Sequence, residues 1–151
     1  MLHRHEDRRV LPFTPAQMFA LVADVRRYPE FLPWCAALRV RSEEDRGETR
    51  VLVADMIAAY KGLNESFRSR VTLNEGAKTI DVEYIDGPFA QLANRWRFEP
   101  VGEGASRVHF LIEYEFKSRV LGVLARKVFA RVFEKMSDAF EERARALYTV
   151  A

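Results

Sequence analysis

From Trp34 to Phe116 apolar and polar residues alternate with a period of two, and from about Ser118 to Tyr148 the period becomes that of a helix. This switch constrains the fold more than any other feature. In "ESFRSRVTL", Phe67, Ser69, Val71 and Leu73 fall on one side, and Arg68, Arg70 and Thr72 on the other. "KTIDVEYI" sets Ile80, Val82 and Tyr84 against Asp81 and Glu83. "QLANRWRFEP" sets Leu92, Asn94, Trp96 and Phe98 against Arg95, Arg97 and Glu99. "SRVHFLIEYEF" sets Val108, Phe110, Ile112, Tyr114 and Phe116 against His109, Leu111, Glu113 and Glu115. "TRVLVADMI" is apolar and β-branched. Turn-like separators lie between these runs: "EDRGE", "NEGAK", "IDGPF" and "VGEGA". Such a pattern predicts antiparallel strands with one packed face and one wet face.

The C-terminal helix carries Leu121, Leu124, Val128, Val132, Met136, Phe140 and Leu147 on its apolar face, widened by Phe129 and Phe133. A stripe this large must be buried against something broad, and the packed face of the sheet is available. Before the sheet, "TPAQMFALVADV" starts a helix. Thr14 is its N-cap, Pro15 its first residue, and Gln17 completes a capping box. Met18, Leu21, Val22 and Val25 share one face, and Pro29 stops any long continuation. Residues 2–11 are charged and end at Pro12, which suits an edge or half-exposed strand. The order strand, one or two short helices, antiparallel strands, long helix predicts an α+β fold with helices on one side of the sheet.

The chain has 151 residues with no linker, repeat or low-complexity segment, so residues 1–151 are read as a single domain. A net charge of +2 gives no ground for a DNA partner. The single cysteine precludes an internal disulfide and points to a reducing compartment. No apolar run is long enough to span a bilayer, and "MLHRHEDRRV" lacks the marks of a signal or transit segment. The expectation is a cytoplasmic protein, peripheral at most at the inner membrane.

Catalytic motifs are thin. His3 and His5 share a strand face but lack a third metal ligand nearby, and Asp7 reads as a solvated charge. His109 and Glu113 fall on the wet side of their strand. Cys35 has no activating neighbour and reads as a structural thiol. "GEGAS" lacks the lysine and spacing of a phosphate loop. Asp55, Glu65 and Asp86 qualify as general acids or bases by residue type alone. Neither a catalytic residue nor a catalytic cofactor is expected.

Three segments carry a family likeness: "VLPFTPAQMFALVADVRRYPEFLPWC", "IDGPFAQLANRWRF" and "ARVFEKMSDAFEERARALY". In order and over nearly the whole chain, they resemble the coenzyme Q-binding START-domain family of the polyketide cyclase/dehydrase-like superfamily. The related bacterial ribosome association toxins share most of these landmarks. Trp34 before Cys35, and Asn94 two residues before Trp96, are more like the coenzyme Q branch.

This resemblance implies a helix-grip, Bet v 1-like fold, in which a curved antiparallel sheet wraps around the long C-terminal helix. It further implies non-catalytic binding of ubiquinone, or a related polyisoprenoid lipid, in support of respiratory electron transport. The inward positions would then line an apolar tunnel: Phe67, Val71, Val82, Tyr84, Leu92, Trp96, Phe110, Ile112 and Tyr114. Leu124, Val128, Val132 and Met136 would close it from the helix. Tyr84 and Tyr114 could donate to a quinone oxygen, or their hydroxyls could reach water or backbone. In "YPEFLPWC", Phe31, Leu32 and Trp34 would form a rim or gate, or else a plug that seals the core. Lys127, Arg131 and Lys135 form a basic row at four-residue spacing. That row is either an ordinary solvated face, a docking strip for anionic lipid, or, on the toxin-like alternative, a contact with ribosomal RNA.

Overall fold

The computed structural model describes residues 2–60 and 62–148, with the side chains of Leu63, Leu121 and Leu124 outside the description. Seven strands form one antiparallel sheet in the spatial order β1-β7-β6-β5-β4-β3-β2. They are β1 (His3–Leu11), β2 (Cys35–Asp45), β3 (Thr49–Tyr60), β4 (Leu63–Asn74), β5 (Thr79–Asp86), β6 (Phe89–Pro100) and β7 (Ser106–Phe116). Helix α1 (Pro15–Ala23) and a 3₁₀ helix (Val25–Glu30) link β1 to β2, and helix α2 (Arg119–Tyr148) ends the chain. This is the helix-grip arrangement. The strand β1 runs along one edge, as its charge pattern requires.

Local sequence sets the helix boundaries. Thr14 Oγ1 accepts from the Gln17 N–H at 3.1 Å, and Gln17 Oε1 accepts from the Thr14 N–H at 2.8 Å, closing the capping box. Met18, Leu21, Val22 and Val25 are all buried. Pro29 does not end α1, which stops at Ala23; it lies inside the 3₁₀ helix. That tighter turn tolerates it because only its own N–H is lost.

The sheet has the two faces that alternation demands. On the outer face Asp55 pairs with Arg68 and Arg41, Asp81 with Arg95, and Glu83 with Arg70. The inner face packs against α2, whose buried apolar residues among those described are Ala125, Phe129, Val132, Phe133, Phe140 and Ala144. The buried stripe therefore runs through Phe129 and Phe133, with Val128 half-buried beside it. Leu147, expected on this stripe, is exposed, while Ala144 is buried and Tyr148 makes the contact with α1 there. Tyr148 donates its hydroxyl to the Gln17 carbonyl at 3.0 Å, and its ring lies 5.9 Å from that of Phe13.

The two halves of α2 are held differently. Arg9 on β1 reaches Asp138 at 2.8 Å and Glu141 at 3.0 Å, and Arg143 reaches Glu30 at 3.1 Å. Among the described residues, every ion pair from α2 to another element lies at Asp138 or beyond. Asp7, expected as a free charge, belongs to this anchor: it accepts from Arg9 Nε at 2.8 Å on the inward side of β1. No helix among the described residues is long and apolar enough to cross a membrane.

Candidate functional site

Between the inner face of the sheet and α2 lies an apolar cavity of about 130 Å³. Its cause is a difference in side-chain size. At inward positions of β3 and β4 the sheet presents Ala54, Ala58 and Ser69, three small residues. The surrounding inward positions carry bulk: Met56, Phe67, Val71, Ile80 and Val82. Opposite stand Trp96 and Phe110, whose rings lie 4.7 Å apart, and Phe140 of α2 at 5.1 Å from Trp96. Small residues facing large, rigid rings leave space that the rings cannot collapse to fill.

The expected tunnel residues divide in two. Leu32, Trp34, Phe67, Val71, Val82, Leu92, Trp96, Phe110, Ile112, Val132 and Met136 line the cavity. Phe31, Tyr84, Tyr114 and Val128 do not, and Leu124 lies outside the described side chains. Phe89 accounts for both tyrosines. Its ring stands 5.7 Å from Tyr84 and 6.1 Å from Tyr114, nearly perpendicular to each. Tyr84 accepts through its hydroxyl oxygen from the Phe89 N–H at 3.0 Å, while Tyr114 packs 4.9 Å from Phe133. Burial pushes the ionisation of both hydroxyls upward; for Tyr84 the bond from Phe89 opposes it. Val128 is displaced because Phe129 and Phe133 occupy the centre of the inner face of α2.

The "YPEFLPWC" segment forms one closed end. Leu32 and Trp34 are buried in the cavity wall. Phe31 sits outside them, edge-on to Tyr28 at 6.0 Å and to Phe140 at 5.3 Å. The Arg143 guanidinium covers its ring at 5.0 Å. Cys35 is buried, its Sγ 3.7 Å from the Ala37 carbonyl, and burial pushes the thiol up to about 11.

The titratable candidates lie elsewhere. Asp55 is on the outer face with its arginines, and Glu65 and Asp86 do not line the cavity. His109 Nε2 lies 2.7 Å from Glu6 Oε2 on the outer face of β7 and β1. His3 and His5 lie 5.3 Å from Tyr114 and 6.0 Å from Phe110. No carboxylate, imidazole, amine or thiol is among the described lining residues. Its polar members are Tyr28, Ser69 and Asn94, with the indole N–H groups of Trp34 and Trp96. Lys127, Arg131 and Lys135 are exposed on the outer side of α2, and none of the three makes an ion pair among the described residues.

Sequence reasoning left out of the tunnel Val25, Tyr28, Leu38, Met56, Ile80, Phe89, Asn94, the helix residues Phe129, Phe133 and Phe140, and the floor residues Ala54, Ala58 and Ser69. A signal existed for the floor: small residues at inward positions of two adjacent strands.

The chain is 37% identical over 140 residues to the ribosome association toxin RatA of Rickettsia prowazekii, across 91% of this chain and 92% of that protein. It is 28% identical to the mitochondrial coenzyme Q-binding protein coq10 of Schizosaccharomyces pombe, across 91% and 84%. The solution structure of the 18 kDa protein CC1736 from Caulobacter crescentus is similar over 98% of this chain and 99% of that one, with a TM-score of 0.80 and 39% identity. Residues 11–141, which include every described lining residue of the cavity, match one family throughout, and the chain belongs to the polyketide cyclase/dehydrase and lipid transport family.

Proposed function

We propose that the protein binds the headgroup of a polyisoprenoid quinone of the ubiquinone type, without catalysis, and serves as its carrier or chaperone in respiratory electron transport. The observation that carries this reading is the cavity. It is apolar, walled by aromatic rings, and sized for one ring: an apolar cavity of roughly 150 Å³ accepts benzene. A lining of Trp96, Phe110 and Phe67 suits a flat quinoid ring, and the absence of acid and base groups among the described lining residues suits binding over turnover. The coq10 relative, named for coenzyme Q binding, points the same way.

The cavity holds a ring, and a polyprenyl chain needs more room than about 130 Å³. The half of α2 before Asp138, which makes no ion pair to another element among the described residues, is where the structure can open to seat a tail. The test is mass spectrometry on lipid extracted from the natively purified protein, made in a host that synthesises ubiquinone. Near-stoichiometric quinone is expected; its absence would sink the reading.

A second reading, association with the ribosome, draws support from the RatA relatives and from the exposed basic row Lys127, Arg131 and Lys135. Cosedimentation with the large ribosomal subunit, lost as salt rises, is its expected sign. The same row could instead bring a quinone carrier to anionic lipid.

A further inference from the structure

Ser69 sits on the inward side of β4, between Ala54 of β3 and Tyr84 of β5. It is 6% exposed, lines the cavity, and its Oγ has no hydrogen-bond partner. A hydroxyl buried among apolar groups without a partner is unfavourable, and native proteins rarely leave one so. Among the described residues the Ser106 hydroxyl is also buried without a partner, while that of Ser137 faces Asp7 and helps hold its carboxyl charged; neither lines the cavity.

Besides the indole N–H groups of Trp34 and Trp96, the lining has one other hydroxyl and one amide, and each makes a hydrogen bond to backbone. The Tyr28 hydroxyl donates to the Val22 carbonyl, and Asn94 Nδ2 donates to the Leu111 carbonyl at 2.8 Å. A trapped water is a poor partner for Ser69, because a buried water needs two to four polar neighbours. Nor does packing require the hydroxyl, since the neighbouring floor positions are alanines. The register between β4 and β5 shifts between Arg68 and Ser69, so a bulge lies directly beside this residue, as bulges often do where a side chain must be aimed.

We propose that Ser69 is the hydrogen-bond donor to the bound ligand and fixes its class: a ring-sized molecule bearing a carbonyl oxygen, as opposed to a plain hydrocarbon or a fatty chain. This rests on the quinone reading above and adds the residue that selects the headgroup. In the bound state Ser69 Oγ–H donates to one ring carbonyl, while Trp96 and Phe110 contact the ring. No bond is made or broken.

The test uses two probes of the same shape, a short-tailed benzoquinone and the same tail on a benzene ring without the oxygens. Their affinities are compared for the unaltered protein, Ser69→Ala and Ser69→Thr. Ser69→Ala is expected to weaken the benzoquinone about tenfold, the ordinary worth of one buried hydrogen bond, and to leave the oxygen-free probe unchanged. Ser69→Thr, which keeps a hydroxyl, is expected to retain the preference for the quinone. Without ligand, Ser69→Ala is expected to melt at a higher temperature, because it deletes an unsatisfied buried group. A purely structural serine would show the reverse. If the protein binds the benzoquinone and Ser69→Ala binds it equally well, the assignment of Ser69 is overturned and the quinone reading stands. A lower melting temperature for ligand-free Ser69→Ala also overturns it, since the hydroxyl would then be bonded in the empty protein. If the unaltered protein binds neither probe, both readings fall.

Discussion

Asp55 stands on the outer face between two guanidinium groups. It accepts from Arg68 Nε at 2.8 Å and Nη2 at 3.3 Å, and from Arg41 Nη1 at 2.8 Å. The bonds from Arg68 hold its carboxyl below the ordinary value of 3.8; partial burial opposes this and Arg41 reinforces it. A depressed carboxylate stabilises the fold above its unfolded pKa and loses that contribution as pH falls through the folded value. Asp55→Asn should therefore cost roughly 1 kcal/mol at neutral pH, the scale of a well-formed surface pair. In urea titrations, the gap from the unaltered protein should close below about pH 3.8; a gap independent of pH would refute the pairing. Cys35 shows the opposite case. Burial lifts its thiol from 9.0 to about 11, so the native thiolate fraction at pH 8 is about a hundredfold below that of an unfolded thiol. An aromatic disulfide reagent should label the native protein at least that much more slowly than the urea-unfolded chain. Because only the unfolded thiol ionises between pH 9 and about 11, Cys35 also weakens the fold as pH rises through that window. Rapid native labelling would show that the thiol is open.

At the scale of elements, the hairpin joining β5 to β6 is the most constrained. Gly87 has φ +145°, and a Cβ there would lie 2.6 Å from the Cβ of Phe67. The turn must press close because Phe67 lines the cavity and Phe89, two residues on, screens it from the tyrosines. Gly87→Ala combines a disallowed dihedral with a backbone-level clash and should cost roughly 2–4 kcal/mol in urea unfolding. A cost below about 0.5 kcal/mol would mean that the turn is free to move. The strands themselves were legible in the sequence, because inward and outward positions repeat with the pleat and each repetition adds confidence of register. Depth was not legible. Parity places Tyr84 and Tyr114 inward correctly, yet says nothing of Phe89 standing between them and the cavity. Emptiness was less legible still, since it is a difference in volume between Ala54, Ala58 and Ser69 on one side and rings on the other. On α2, steps of four drift around a helix of 3.6 residues per turn, so the row through Val128 strays from the line that Phe129 and Phe133 bury.

At the scale of the whole molecule, α2 serves two surfaces at once. Its inner side supplies Phe129, Val132, Phe133, Met136 and Phe140 to the cavity, and its outer side carries Lys127, Arg131 and Lys135. Residues on opposite sides of a helix do not touch, so a ligand function and a docking function can be separated by mutation. Ala54→Leu places apolar bulk in the cavity from a floor position that is 6% exposed, and overpacking of this kind usually costs only about 1–3 kcal/mol. It should weaken quinone binding at least about tenfold, preserve the near-ultraviolet circular dichroism, and leave ribosome or anionic-vesicle association unchanged. The triple variant Lys127→Glu, Arg131→Glu, Lys135→Glu moves the formal net charge by six, from +2 to −4. It should keep quinone affinity within about twofold and lose whichever polyanion the protein meets, since that attraction is electrostatic and salt-dependent. Loss of vesicle binding alone would assign the row to lipid, and loss of cosedimentation alone would assign it to the ribosome. If the folded charge variant also loses quinone, the two sides of α2 are coupled, and the half of the helix before Asp138 is then the element through which docking opens the cavity.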